Sequence, residues 1–162
     1  MLAEMFDGVV VLSPAPGFAH QDAVLSLAIT MRAACPPGLR VLVAPFGVRL
    51  GERAEVRPDV LVARYVDLTS DGLAVPPLLA VEVRSPGTAL IDQSVKKALY
   101  AQHRVQSYWI VDPEAPSLTA YELAEPGGYL AAGHASGAET WQATRPFPVT
   151  VRPIDLVAGL RP

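Results

Sequence analysis

The sequence predicts an α/β domain in which a mixed β-sheet is flanked by helices and carries additional β-hairpins. The first observation is the order strand, helix, strand, formed by the apolar run Leu78–Val83, the amphipathic stretch Leu90–His103 and the apolar run Tyr108–Val111. Such a unit commonly joins two parallel strands by a crossover helix. The second observation is a set of short Val- and Leu-rich segments separated by turn residues, which is typical of antiparallel strands.

The first third of the chain is predicted to contain one helix between short strands. Gly8–Leu12 is a candidate strand, and the prolines and glycine of Ser13–Gly17 predict a turn. Apolar residues recur at helical spacing from Phe18 to Ala34, and Cys35–Gly38 ends the run. Three strands are expected next, as antiparallel neighbours: Arg40–Ala44, Gly47–Leu50 and Pro58–Ala63.

The crossover helix follows the turn Ser85–Thr88, in which Thr88 is a predicted N-cap. Beyond it, the pattern predicts a hairpin, further extended chain and one or two final helical turns. The corresponding segments are Leu118–Leu123 with Gly128–Ala132, then Trp141–Val151, then Ile154–Leu160.

Composition sets the broad class of protein. With 162 residues and 51% hydrophobic content, we expect one domain over residues 1–162. The charged fraction of 18% is low, so apolar surface is expected to be covered in a homodimer. A net charge of −3 argues against strong, indiscriminate nucleic-acid binding, yet it leaves room for an acidic metal site within a locally basic groove.

Cysteine usage and hydropathy indicate the compartment. Cys35 is the sole cysteine, which excludes an intrachain disulfide and a zinc site built from several cysteines. Glu4 and Asp7 interrupt the first residues, so no signal peptide is expected, and no apolar run is long enough to span a bilayer. We therefore expect a cytoplasmic protein without a membrane segment.

Two acidic residues stand at the strands expected in the core. Glu82 lies inside an apolar run, and burying its carboxylate is costly unless it is paired, protonated or bound to a metal. A structural explanation exists, because Arg84 lies two residues on, facing the same side of the strand. Asp59 begins another apolar strand, where the structural explanation is a solvated acid at a strand edge.

The helix that follows Glu82 carries Asp92, Lys96 and Tyr100 along one face, at positions i, i+4 and i+8. Taken alone, an exposed Asp–Lys pair at this spacing is common and worth little. The order along the chain is more informative, since an Asp, a Glu in a buried strand and a Lys on the next helix form the set of a metal-dependent phosphodiesterase. Two carboxylates, with the backbone carbonyl of Val83, make a hard oxygen site for Mg²⁺. The lysine would stabilise the attacking hydroxide or the transition state.

Several motifs support this interpretation by resemblance. Their residues are Phe6-Asp7-Gly8, His20, Arg57-Pro58-Asp59-Val60, Val81-Glu82-Val83-Arg84-Ser85-Pro86, Thr88, Asp92, Lys96, Tyr100 and Tyr108-Trp109-Ile110-Val111-Asp112-Pro113. They resemble the Uma2 endonucleases, a bacterial group of restriction endonuclease-like proteins within the PD-(D/E)XK superfamily. The resemblance covers about the first two thirds of the chain.

The resemblance implies a restriction endonuclease-like core with Asp59 and Glu82 as metal ligands. It also implies that the catalytic lysine is displaced from its usual strand position onto the helix, at Lys96. Arg84 occupies the position where the superfamily usually has lysine; because arginine stays protonated, it could stabilise phosphate charge but is a poor base. His20 matches a family position at the start of the first helix. The alternative interpretation is that His20 is an ordinary polar residue at a helix start. Glu4 and Tyr100 are further candidates for supporting roles.

The sequence thus favours a Mg²⁺-dependent, or Mn²⁺-dependent, endonuclease that hydrolyses phosphodiester bonds in DNA. The alternative is a noncatalytic nucleic-acid-binding or protein-interaction module that retains the nuclease fold and keeps its acids for stability. Hydrolysis of another phosphodiester or nucleotide would use the same residues, and the sequence leaves that hypothesis open.

Overall fold

The computed structural model describes residues 1–85 and 89–160, and the side chains of residues 89–93 and 160 lie outside that description. The helices are α1 (Phe18–Ala34) and α2 (Ala89–Gln102), with 3-10 segments at Tyr65–Asp67 and Pro153–Leu160. The strands are β1 (Leu2–Phe6), β2 (Val9–Ser13), β3 (Leu39–Val43), β4 (Val48–Arg49), β5 (Glu55–Val56), β6 (Val60–Arg64), β7 (Leu68–Thr69), β8 (Gly72–Leu73), β9 (Leu79–Val83), β10 (Ser107–Asp112), β11 (Ser117–Leu123), β12 (Tyr129–Ser136), β13 (Trp141–Ala143) and β14 (Val149–Val151).

The strands form two mixed six-stranded sheets and one small hairpin. The central sheet has the order β12-β11-β10-β9-β6-β3, and the second sheet has the order β2-β1-β5-β4-β8-β7. Strands β9 and β10 of the central sheet are parallel, and α2 connects them. This confirms the predicted strand, helix, strand unit, and β9 lies in the interior of its sheet as expected. The predicted α/β class with a mixed sheet is therefore the observed one.

Several predicted elements are confirmed with small changes of boundary. Helix α1 has the predicted bounds, and β3 and β6 are antiparallel neighbours. The predicted hairpin appears as β11 and β12, and a second hairpin, β13 with β14, forms within the predicted extended chain. The final helical turns form the 3-10 segment. Thr88, the predicted N-cap of α2, lies outside the described residues.

The prediction for the second sheet is wrong in two respects. Strand β4 does not join β3 and β6 but pairs with β5 and β8 in the second sheet, because β4 spans two residues and has no periodicity to assign it. Strand β1 was missed because its sequence has no β-branched residue. It pairs with β2, and the turn between the two strands consists of Asp7 and Gly8, both with positive φ. An Asp-Gly turn of this kind suits a tight hairpin and was the available signal.

The core of the molecule lies on both faces of the central sheet. Along β9, Leu79 and Val81 pack with the α1 side chains Leu27 and Met31. Ala80 packs on the opposite face with Tyr100 of α2. Because side chains alternate along a strand, Glu82 lies on the same face as Ala80, between the central sheet and the elements that cover it. The alternation of β9 therefore directs one buried acid toward α2 and the second sheet.

Candidate active site

Glu82 is held by two side chains of α2. Its Oε2 lies 3.0 Å from Nζ of Lys96, and its Oε1 accepts a 2.7 Å hydrogen bond from the hydroxyl of Tyr100. Lys96 and Tyr100 are four residues apart, so they share one face of the helix. This arrangement differs from the simple structural explanation, because Arg84 pairs with Asp112 across a 3.0 Å contact.

Glu4 brings a second carboxylate to the same lysine. Its Oε2 lies 2.9 Å from Lys96 Nζ, and its Oε1 accepts a 2.8 Å hydrogen bond from the backbone N–H of Arg57. Sequence analysis assigned no role to Arg57. A signal for Glu4 was present in β1, where Leu2, Glu4 and Phe6 alternate along one face and line the same cavity.

Asp59 immediately precedes β6 and lines the same cavity. Its Oδ2 accepts a 2.7 Å hydrogen bond from the backbone N–H of Val83 and lies 3.2 Å from Nε2 of His20. Its Oδ1 accepts no hydrogen bond from the described residues. The other ring nitrogen of His20, Nδ1, is buried and has no partner within residues 1–85 and 89–160. Asp59 thus keeps one carboxylate oxygen available for a ligand.

These groups line a cavity of about 360 Å³. The polar part of its lining includes the predicted residues Glu4, His20, Asp59, Glu82, Arg84 and Lys96, together with Val83. Tyr100 lies behind them and reaches the cavity through its bond to Glu82. The structure therefore brings together the site residues that were predicted from widely separated segments of the sequence.

The electrostatics of the cavity are dominated by carboxylates. Burial raises the pKa of Glu82 to about 7, and the nearby charges of Asp59 and Glu4 add to this effect against the opposing influence of Lys96 and Tyr100. Burial disfavours the charged form of Lys96, but the carboxylates of Glu82 and Glu4 outweigh it and raise its pKa. Lys96 is therefore a fixed ammonium group, which can stabilise negative charge but cannot accept a proton at neutral pH.

Arg84 is anchored at the rim of the cavity by Asp112. Although burial raises the pKa of Asp112, hydrogen bonds from the backbone N–H groups of Ala115 and Glu114 and from Arg84 lower it overall. The two backbone bonds that Asp112 accepts lie in the turn after β10. It thus fixes the turn and holds the guanidinium beside the cavity.

The donor set matches the needs of a hard divalent cation. Asp59 and Glu82 offer carboxylate oxygens, and such ions prefer oxygen ligands. The described side chains of the floor include three carboxylates, those of Glu4, Asp59 and Glu82, and one ammonium group, that of Lys96, so full ionisation of the acids leaves two negative charges without an ammonium partner. As the side chains stand, no group of three or more His, Cys, Asp or Glu residues in the described part of the chain is arranged to hold a metal ion.

Comparison with known proteins agrees with the fold. The fold is that of a solved structure described as "a putative nuclease belonging to DUF820" from Anabaena variabilis, with a TM-score of 0.75 and 16% sequence identity. The match covers 98% of this chain and 91% of that one. A comparison with curated proteins finds no match.

The sequence model of the Uma2 family, described as "Putative restriction endonuclease", matches residues 2–156. The chain belongs to this family.

Within the described residues, no helix is long and apolar enough to cross a membrane.

The bond from Tyr100 to Glu82 gives a first prediction. Tyr100→Phe leaves a buried carboxylate oxygen without its donor, and we expect the free energy of unfolding to fall by about 1–3 kcal/mol at pH 8. Tyr108→Phe is the matched control, because that hydroxyl is buried without a partner among the described residues and its ring packs against Tyr100. Urea denaturation measures both. An equal loss in the two variants would show that the hydroxyl bond is not the stabilising feature.

The raised pKa of Glu82 gives a second prediction. The ordinary value is 4.5 and the folded value about 7, so the folded state binds more protons between them. Its contribution to stability is complete below about pH 4.5 and is lost as pH rises through about 7. Glu82→Gln should therefore remove a negative slope of up to about 1.4 kcal/mol per pH unit from the free energy of unfolding.

This slope is obtained from urea unfolding between pH 5 and pH 8 in the presence of a chelator. At each pH, the free energy of unfolding of the variant is subtracted from that of wild type. The subtraction cancels groups that titrate alike in both proteins, such as Glu122, whose pKa burial also raises. A difference that does not change with pH would contradict the assignment to Glu82.

Proposed function

We propose that this chain is a metal-dependent endonuclease that hydrolyses phosphodiester bonds in DNA with Mg²⁺ or Mn²⁺. Membership of a family described as "Putative restriction endonuclease" supports the reaction class. The observation that carries the proposal is the position of the Lys96 ammonium between Glu82 and Glu4, in the cavity that Asp59 also lines. A structural ion pair needs one carboxylate, whereas here two contact one lysine and a third lines the same cavity.

The residues divide into ligands and charge-stabilising groups. Asp59, Glu82 and the carbonyl of Val83 would hold the ion, which when bound polarises the scissile phosphate and lowers the pKa of a water molecule. Lys96 remains protonated, so its part is to stabilise the negative charge that develops on the phosphate or on the attacking hydroxide. Glu4 keeps the ammonium in place from the opposite side.

His20 and Arg84 have supporting parts in this proposal. His20 contacts the Oδ2 of Asp59, and together with the N–H of Val83 it fixes that oxygen, leaving Oδ1 for the ion. Arg84 lines the cavity while paired with Asp112, and its guanidinium lies where it can contact a substrate phosphate. Tyr100 fixes Glu82 from behind and does not line the cavity.

The test is metal-dependent cleavage of supercoiled and single-stranded DNA by wild type, Glu82→Ala and Lys96→Ala. We expect Lys96→Ala to lower the rate at least about a hundredfold, the loss typical of removing one transition-state donor, and Glu82→Ala to remove metal-dependent cleavage. Lys97→Ala is the matched control, because it removes the same charge from the next residue, whose ammonium lies over the ring of Tyr121.

The outcomes separate the two candidate functions. Cleavage that is lost in Glu82→Ala and Lys96→Ala but retained in Lys97→Ala supports the nuclease. DNA binding without cleavage by wild type, unchanged in Asp59→Ala, favours the noncatalytic module. Equal loss of cleavage in Lys96→Ala and Lys97→Ala would contradict the role given to Lys96.

We also propose that the protein acts as a homodimer. The support is the low charged fraction of 18% together with exposed apolar side chains on β2 and α1, namely Val9, Val10, Leu12, Phe18, Leu25 and Ile29. Light scattering after size-exclusion chromatography should give about twice the chain mass of 17.2 kDa. A mass equal to one chain across the micromolar range would contradict the dimer.

A further inference from the structure

Resting on the proposed nuclease function, we propose that the site takes its phosphodiester from single-stranded DNA, with one nucleotide unit seated in the cavity. The proposal concerns the form of the substrate, namely whether it is single-stranded or duplex DNA. It depends on the depth of the charged groups, the size of the cavity and the chemistry of its wall.

The charged groups lie at the floor of the cavity and not on an open surface. The side chains of Glu4 and Glu82 are each 9% exposed, that of Lys96 is 12% exposed and that of Asp59 is 14% exposed. A duplex is stiff over about 150 base pairs and presents its phosphates on the outside of a rigid helix. A single strand can bend and place one of its phosphates in a recess that a strand held in a duplex cannot enter.

The size of the cavity fits one nucleotide unit. Its volume of about 360 Å³ is near the lower end of the roughly 300–1,000 Å³ typical of pockets that enclose a small ligand. The hairpin of β1 and β2 and the turn after it form one wall. Strand β2 places Val11 and Ser13 toward the cavity, and Pro14 and Pro16 continue the wall.

The wall is apolar where a duplex would need cations. Leu2, Phe6, Val11, Pro14 and Pro16 line it beside the acidic floor. The outside of a duplex offers sugar and phosphate, which such a wall cannot hold, whereas the exposed base of a single strand packs on apolar and aromatic side chains. The wall is therefore complementary to an unpaired base.

The cationic side chains of the lining are already engaged with carboxylates. Arg57 pairs with Glu55 at 2.8 Å, Arg84 with Asp112, and Lys96 with Glu4 and Glu82. Proteins that bind duplex DNA usually neutralise several phosphates at once with lysine and arginine. Affinity for the substrate is then expected to come mainly from contacts with the base and with the ion, and not from contacts of lysine and arginine with backbone phosphates.

The experiment compares one pool of DNA in two forms, with wild-type protein and Mn²⁺. An end-labelled pool of randomised sequence is used single-stranded, and the same pool is converted to blunt duplex by primer extension, so that no target sequence is missing from either form. We expect kcat/KM to be at least tenfold higher for the single strand. Equal or faster cleavage of the duplex overturns this inference and leaves the nuclease intact, whereas cleavage of neither form overturns the proposed function as well.

Two valine variants test the apolar wall. Val11 lines the cavity, whereas Val66, in the 3-10 segment Tyr65–Asp67, is 84% exposed and lies outside the lining. Val11→Ala should raise KM for the single strand at least threefold with kcat little changed, and Val66→Ala should leave both constants as in wild type. The same KM for the two variants would overturn the role of the wall in holding the base.

Discussion

The carboxylates of Glu4 and Glu82 contact the Lys96 ammonium, and that of Asp59 lines the same cavity, in which all four side chains have little exposure to water. The rest of the site can be understood from this excess of buried negative charge. Burial, with this charge, raises the pKa of Glu82, and the carboxylates keep Lys96 protonated. The acids also require the donors that surround them, including the backbone N–H groups of Val83 and Arg57. A divalent cation would supply the missing positive charge.

The fold delivers these groups from three directions. The alternation of β9 turns Glu82 to the face opposite α1, while the spacing of Lys96 and Tyr100 on α2 lets both reach it. The hairpin of β1 and β2 adds Glu4 from the second sheet. Because β9 and β10 are parallel, α2 must cross over that face of the sheet, so the fold itself brings the lysine to the acid.

Sequence reasoning predicted the part of this arrangement that depends on local spacing. The crossover unit could be identified because its apolar runs and helical spacing are regular. The set Asp59, Glu82 and Lys96 could be identified because an acid in an apolar strand is costly, and because the order of the three residues along the chain resembles that of the Uma2 endonucleases. The second sheet could not, since four of its strands have two residues each. The bond from Arg57 to Glu4 joins positions 53 residues apart, and no local pattern reports such a contact.

The central claim is that the carboxylates of this cavity hold a divalent cation. Calorimetric titration of Mn²⁺ into metal-free protein tests it most directly, with Asp59→Asn as the site variant. Asp155→Asn makes the same change at an exposed residue that pairs with Arg152. The account predicts saturable binding by wild type and Asp155→Asn and its loss in Asp59→Asn; no binding by wild type, or undiminished binding in Asp59→Asn, would contradict it.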